Sequence, residues 1–208
     1  HPLEFSDDLI AAYAEIPKLA SHVHLPVQSG SDAILAAMKR NHTAADYLAR
    51  IKKLKAARPD ILISSDFIIG FPNETDDDFM ATMNLIAEVD YDHSFSFIFS
   101  KRPGTPAAEL SDSVSEETKK ERLVILKDHI KKNTLRKTRD MIGTTQRILV
   151  EKVSDRQEGY MVGSADNLRV VYFPADASLI GRFVDVVITD EANVNAVRAT
   201  APIWVEDL

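Results

Sequence analysis

The chain has 208 residues, 45% of them hydrophobic and 27% charged, an ordinary globular composition with room for one large domain or two small ones. It has no cysteine, so disulfides, thiolate metal sites and cysteine nucleophiles are excluded within it. No apolar run approaches the ~20 residues of a membrane helix, and the net charge of −7 argues against a polyanion binder taken as a whole.

The chain starts at His1-Pro2 without a Met, as a fragment or a processed chain does. Ser6 to about Ala14 is predicted as a short helix, capped by Ser6, with Asp7 and Asp8 at the positive end of its dipole. Ser21 to Val27 has strand character, finishing at Pro26, which cannot join a ladder. Gln28-Ser29-Gly30-Ser31 is a turn. Ser31 caps a helix with Ile34, Leu35 and Met38 on its apolar face, ending near Lys39-Arg40. Thr43 and Asp46 form a capping-box variant for a helix that buries Tyr47, Leu48, Ile51 and Leu54 and stops before Pro59.

Ile61 to Ile69 is a β-branched, apolar run with one carboxylate, Asp66, inside it. A buried Asp is costly unless it is bonded or paired. The run breaks at Gly70 and Pro72, and a second capping box, Thr75 with Asp78, starts a helix lined by Phe79, Met83 and Ile86. Asp76-Asp77-Asp78 is better explained as decoration of that helix N-terminus than as a metal site. In Ser94 to Ser100, Phe95, Phe97 and Phe99 alternate with serines, as in a strand with two distinct faces. Strands alternating with helices imply a parallel sheet with right-handed crossovers. Three strands are too few to close a barrel, so the segment reads as the second half of a larger β/α unit.

Ser115 opens a long basic helix with Leu123, Leu126 and Ile130 as its stripe and Gly143 as its C-terminal stop. Residues 115–142 carry 9 basic and 5 acidic side chains, against 10 and 17 in residues 1–114 and 6 and 10 in residues 143–208. Beyond Gly143 the period changes to two. Five short strands, punctuated by Gly159, Gly163, Pro174 and Gly181, suit a small barrel of the OB type. The domains are therefore placed at 1–142 and 143–208.

Gln28, Arg40 and Asp66 lie at or near strand ends. An amide and a carboxylate can hold ribose hydroxyls, a guanidinium can hold a carboxylate, and Gly70 lets a flat ring approach the backbone. Such a set suits a nucleoside with an amino-acid tail. Each residue also has a structural explanation: Gln28 in a turn, Arg40 on a surface, Asp66 bonding backbone.

His24-Leu25-Pro26-Val27-Gln28-Ser29-Gly30-Ser31, Met38-Lys39-Arg40, Ser64 through Thr75 and Arg102-Pro103-Gly104-Thr105-Pro106-Ala107 closely resemble the radical S-adenosylmethionine methylthiotransferases. The MiaB branch, which acts on isopentenylated adenosine in tRNA, is the nearest match. Gly143 through Glu151 resembles the start of that family's TRAM domain. The resemblance covers essentially the whole chain. It implies an α/β fold: the C-terminal half of a radical SAM partial TIM barrel of parallel β/α units, followed by a small all-β, OB-like TRAM barrel.

It also implies a cytoplasmic, monomeric tRNA-modifying enzyme that methylthiolates C2 of N6-isopentenyladenosine at position 37, beside the anticodon. Gln28, Ser29, Arg40, Asp66 and Gly70 would bind S-adenosylmethionine, with Gln28 and Asp66 on the ribose, Arg40 on the carboxylate and Gly70 at the adenine. The family's CxxxCxxC motif and N-terminal cluster-binding domain are missing. Its two [4Fe–4S] clusters would be ligated outside this chain, which is expected to be inactive alone and to hold no metal. Asn73 replaces the usual Gly of the Gly-Phe-Pro-Gly-Glu signature. Ser65-Asp66 favours the tRNA branch over the ribosomal-protein branch. The alternatives are a sister enzyme acting on threonylcarbamoyladenosine tRNA or a ribosomal protein, and a module that only binds tRNA.

The TRAM segment is acidic and lacks an expected basic residue near Ala165. RNA affinity needs Lys or Arg on phosphates. Contact with the anticodon stem-loop is therefore expected from Arg147, Arg169, Arg182 and the basic helix, through Lys131, Lys132 and Arg136. Tyr160, Tyr172 and Phe173 are core residues first and base-stacking candidates second.

Overall fold

The computed structural model describes residues 1–206. Two compact units emerge, one of residues 1–19 and 23–133, the other of 20–22 and 134 onward.

The first unit follows the local signals closely. Helix α1 (Asp7–Glu15) starts where the Ser6 side chain accepts from the Leu9 N–H. Strand β1 (His22–His24) is shorter than the apolar run suggests, because Pro26 has no N–H to donate. Helix α2 (Asp32–Ala37) is capped by Ser31. Both predicted capping boxes form, Thr43–Asp46 on α3 (Ala44–Ala57) and Thr75–Asp78 on α4 (Asp76–Val89). Strands β2 (Leu62–Ile69) and β3 (His93–Ile98) follow α3 and α4. Helix α5 (Glu116–Asp140) contributes its residues up to Asn133 to this unit.

The strands form one open sheet in the order β1-β2-β3. β2 and β3 run parallel, with Asp66 beside Phe95 and Ile68 beside Phe97. Alternation along β2 sorts its side chains. Ile63, Phe67 and Ile69 are buried in a core with Ile51 and Leu54 of α3, Ile86 of α4 and Leu126 and Ile130 of α5. Asp66 and Ile68 lie on the other face. Phe95 and Phe97 lie there too, 52% and 58% exposed, so the aromatic face of β3 is the open one, and Ser96 is buried.

Gly30 fixes how the turn after β1 packs. A Cβ there would lie 2.5 Å from the Ala81 carbonyl oxygen and 2.6 Å from the Thr82 Cα of α4. The Gly30 N–H donates to Thr82 Oγ1 at 2.9 Å.

The second unit is a barrel of β4 (Thr145–Val153), β5 (Tyr160–Ala165), β6 (Val170–Pro174), β7 (Phe183–Asn193) and β8 (Ala196–Ala199). The order is β4-β5-β6-β8-β7, and β7 pairs back onto β4. All pairings are antiparallel except β6–β8. A two-residue strand beyond the five expected, β9 (Trp204–Val205), adds to β7. Ile148, Val150, Met161, Val171, Phe173, Val184, Val186, Ile188 and Val197 fill the interior. Gly163 is needed where strands crowd, since a Cβ there would strike the Leu149 carbonyl and Ile148 Cγ2.

Candidate cofactor and nucleic-acid sites

After Pro26 the chain pairs with β2 for one more residue. The Gln28 N–H donates to the Asp66 carbonyl and the Gln28 carbonyl accepts from the Ile68 N–H, both at 3.0 Å. Gln28 does this at φ +80°, in the left-handed region that favours glycine. Helix α2 ends through Lys39 at φ +58°, which turns the chain so that Arg40 Nη2 donates to the Pro26 carbonyl at 3.1 Å. Arg40 Nε is buried and has no hydrogen-bond partner among the described residues. Burial lowers the guanidinium's proton affinity, and the Asp66 carboxylate works in the opposite direction. Asp66 itself is half-buried and lies 3.3 Å from His24 Nε2. The other ring nitrogen of His24 is 2.8 Å from Ser64 Oγ, so the imidazole is held from both ends.

Gln28 and Arg40 line a cleft of about 710 Å³ together with Ile68, Phe71, Phe97 and Phe99. Lys39 and Arg102 also line it, and among the described residues no carboxylate does. Asp66 stands on the Ile68 face of β2, next to Arg40 by charge but outside the cleft wall. The cleft opens at the carboxyl ends of parallel strands, where α/β folds bind ligands. Its residue types suit a nucleoside with a carboxylate tail: a half-buried guanidinium whose Nε–H is buried, an amide, a nearby carboxylate and aromatic walls. Sequence reasoning missed Lys39, Arg102, Phe97 and Phe99 as cleft residues. The signals were the alternation of phenylalanines with serines in 94–100 and a cation next to a Pro-Gly turn.

Two predicted cofactor residues face elsewhere. Ser29 is 1% exposed. Its Oγ lies 3.2 Å from Thr82 Oγ1 and accepts from the Ser31 N–H, so it ties the turn to α4. Gly70 has φ +68°, and the space a Cβ would fill is taken by the stem of Lys119 from α5. A methylene chain lies where a flat ring was expected. The Gly70 N–H donates to Glu74 Oε1 at 3.1 Å. Lys119 Nζ is held by Asp112 and Glu116, both at 2.7 Å. Arg122 reaches Glu74 at 2.9 Å and Asp76 at 2.6 Å. Burial still raises the Glu74 pKa above its ordinary value, against the pull of Gly70 and Arg122. Asn73 has φ +65°, the left-handed conformation that favours glycine. Asn is among the residues that tolerate it.

The expected RNA contacts also divide. Arg169 is 1% exposed. Its Nε donates to Thr138 Oγ1 at 2.9 Å and its Nη2 to the Thr134 carbonyl at 3.3 Å, so it is an interior brace that phosphate cannot reach. Arg147 is exposed but fork-bonded to Asp185, at 2.9 and 3.2 Å, and stacked 4.7 Å from the centre of the Trp204 ring. Arg182 is half-buried. On α5, Lys132 pairs with Asp128 at 2.7 Å and Arg136 with Asp140 at 3.7 Å, each one helical turn away, while Lys131 is exposed. Phe173 is a core residue. Asp76 and Asp78 are engaged by Arg122 and Ser31. Among the described residues no group of three or more His, Cys, Asp or Glu is placed to hold a metal ion.

Comparison with known proteins assigns both parts of the chain. Residues 2–86 match the radical SAM superfamily and residues 139–201 the TRAM domain. The chain is 59% identical over 202 residues to a tRNA-2-methylthio-N(6)-dimethylallyladenosine synthase of Psychrobacter cryohalolentis. That match covers 95% of this chain and 41% of the relative. Proteins of the same name from Acinetobacter baumannii and Hahella chejuensis are 53% and 59% identical, over 95% and 91% of this chain and 41% and 43% of their own length. The chain thus spans about two fifths of the relatives it matches. Among solved structures, the radical SAM enzyme coproporphyrinogen III oxidase of Escherichia coli superposes with a TM-score of 0.53 at 13% identity, over 89% of this chain and 44% of that one. At that identity the likeness speaks for the fold alone.

Proposed function

We propose, on the premise that this chain belongs to the radical SAM methylthiotransferases, that it supplies part of the S-adenosylmethionine pocket and an RNA-docking module to a longer enzyme. Its two functional modules are residues 1–142 and 143–208. The observation that carries the reading is Arg40. Its Nε–H is buried without an acceptor, beside the charge of Asp66 and in one cleft with Gln28. An unpaired buried donor is costly, and a ligand carboxylate would satisfy it. In this reading Arg40 clamps the methionine carboxylate, Gln28 and Asp66 hold the ribose, and His24 holds Asp66 in place from its Ser64 anchor. When bound, S-adenosylmethionine supplies the radical and methyl-group chemistry, and these side chains orient it and limit water. Iron–sulfur clusters do not fit this chain, which has no cysteine. Two [4Fe–4S] clusters are held elsewhere in the whole enzyme.

The whole enzyme is a monomeric, cytoplasmic tRNA methylthiotransferase that acts at C2 of N6-isopentenyladenosine-37 in the anticodon stem-loop. The relatives' name supports this substrate. Ribonucleoside mass spectrometry on a deletion strain tests it: loss of the methylthio-isopentenyl nucleoside is expected, and loss of a threonylcarbamoyl counterpart instead assigns the sister activity. In the full-length enzyme, Asp66→Asn and Arg40→Met should each weaken S-adenosylmethionine binding about tenfold, or ~1.4 kcal/mol, in equilibrium dialysis. Unchanged dissociation constants in both variants would reject the pocket. This chain alone, given iron and sulfide, should not cleave S-adenosylmethionine.

A further inference from the structure

We propose that Arg102 and Lys39 form a seat for a backbone phosphate of the RNA substrate, at the cleft that Gln28 and Arg40 line. The proposal deepens the function above and rests on it for the identity of the polynucleotide.

The sign of the charge sets this cleft apart. The chain carries 32 acidic and 25 basic side chains, and many of its exposed cations are matched by carboxylates. Lys52 meets Glu88, Lys53 meets Asp7, Lys132 meets Asp128 and Arg198 meets Asp190. Among the described residues the cleft wall holds three cations and no acid. Arg40 is turned inward onto the Pro26 carbonyl. Lys39 and Arg102 are exposed, and among the described residues neither side chain is engaged by a hydrogen bond or an ion pair. The Arg102 carbonyl accepts from the Thr105 N–H and hydroxyl, at 3.2 and 2.8 Å, which fixes the turn that carries it.

Backbone conformation adds a second observation. Lys39 takes a left-handed φ at the end of α2, where glycine would be relaxed. Gln28, on the same wall, takes one too. Strained positions of this kind collect at functional sites. Aromatic walls supply the third. Phe97 is 58% exposed, and Phe99 packs edge-on against Phe71 at 5.0 Å. Cations without partners beside open aromatic faces bind single-stranded nucleic acid, the cations on phosphates and the rings under unpaired bases. One nucleoside clamp in the same cleft accounts for Arg40 and leaves Lys39 and Arg102 in surplus. A polynucleotide that brings its base to the cofactor carries the phosphates to match them.

The test uses the full-length enzyme, an anticodon stem-loop RNA read by fluorescence anisotropy over a salt series, and S-adenosylmethionine read by equilibrium dialysis. Arg102→Gln with Lys39→Gly should weaken stem-loop binding about tenfold near 0.1 M salt. It should flatten the plot of log affinity against log salt by about 0.7 for each phosphate left without its cation. Cofactor affinity should hold. Lys39→Gly relaxes the left-handed position, so its melting temperature should match or exceed that of the parent, which separates lost binding from lost folding. Unchanged RNA affinity and slope in the double variant overturns the proposal. Equal loss of cofactor and RNA affinity also overturns it, by assigning both cations to the cofactor. Weakened RNA binding in this variant alongside unaltered cofactor binding in both Asp66→Asn and Arg40→Met would sink the nucleoside pocket and leave the phosphate seat standing.

Discussion

Asp66 shows how much one residue discloses in the sequence and what it withholds. A carboxylate in an apolar strand demands a partner, and the partner is His24, 3.3 Å away across the β1–β2 neighbourhood. The demand was legible; the identity of the partner was not, because His24 lies 42 positions upstream. Gly70 misled for the same reason. Its positive φ follows from the turn, but the atom occupying the space beside it belongs to Lys119, on another element. Arg169 is the converse case, an arginine in a polar turn whose acceptors are Thr134 and Thr138 on α5. Asn73 carries a prediction at this scale. Its φ is +65°, and its side chain donates to the Ser111 carbonyl and accepts from the Ser113 hydroxyl, both at 3.0 Å. Asn73→Val should cost roughly 1–2 kcal/mol for the left-handed conformation, plus the two bonds. Asn73→Gly should lose only the bonds. Chemical denaturation of the two variants separates the contributions, and equal destabilisation would mean that the turn has relaxed out of the left-handed region.

At the scale of the element, the chain is most legible where the governing interactions are local. The Thr43–Asp46 and Thr75–Asp78 capping boxes span three residues each and form as the spacing dictates. Thr43→Ala or Thr75→Ala should each cost about 1 kcal/mol. The boxes also give the protein an acid sensitivity with a definite sign. Hydrogen bonds from the Thr43 backbone and hydroxyl hold Asp46 below its ordinary pKa. Burial raises Asp78, but bonds from Ser31 and Thr75 outweigh it and leave the net shift downward. A depressed carboxylate stabilises the fold above its unfolded pKa and loses that contribution as pH falls through the folded value. The melting temperature should therefore drop below about pH 4, and Asp46→Asn with Asp78→Asn should flatten the drop. Glu74 acts with opposite sign: its raised pKa makes ionisation costly to the fold as pH rises through the carboxylate range. Strand β1 was overestimated because Pro26 ends its ladder, and β9 was missed because a two-residue strand depends on β7 being available to pair.

On the scale of the whole molecule, the two units have different architectures. The parallel open sheet and the closed five-stranded barrel were both predictable from the change of period near Gly143. The positions of cations relative to acids were not, since pairing across strands and helical turns decides which charges are available. Pairing leaves the basic helix fewer uncommitted cations than its composition suggests, so under the function proposed above it should be a weaker RNA contact than its 9 basic residues imply. Lys132 and Arg136 each have a carboxylate one turn away. Neutralising Lys131, Lys132 and Arg136 should weaken stem-loop affinity less than a composition of 9 basic residues implies, roughly threefold at 0.1 M salt, or ~0.6 kcal/mol. Salt-dependent titration of the triple variant checks this, and a loss above tenfold would return the helix to the centre of RNA docking. The chain's single tryptophan, Trp204, lies on β9 under the Arg147 guanidinium, 43% exposed, and the buried tyrosines Tyr47 and Tyr91 lie in the other unit. Selective excitation of tryptophan therefore reports on the barrel alone. Melting followed by its emission, set beside far-ultraviolet dichroism of the helical unit, resolves in one cuvette whether the two halves unfold together.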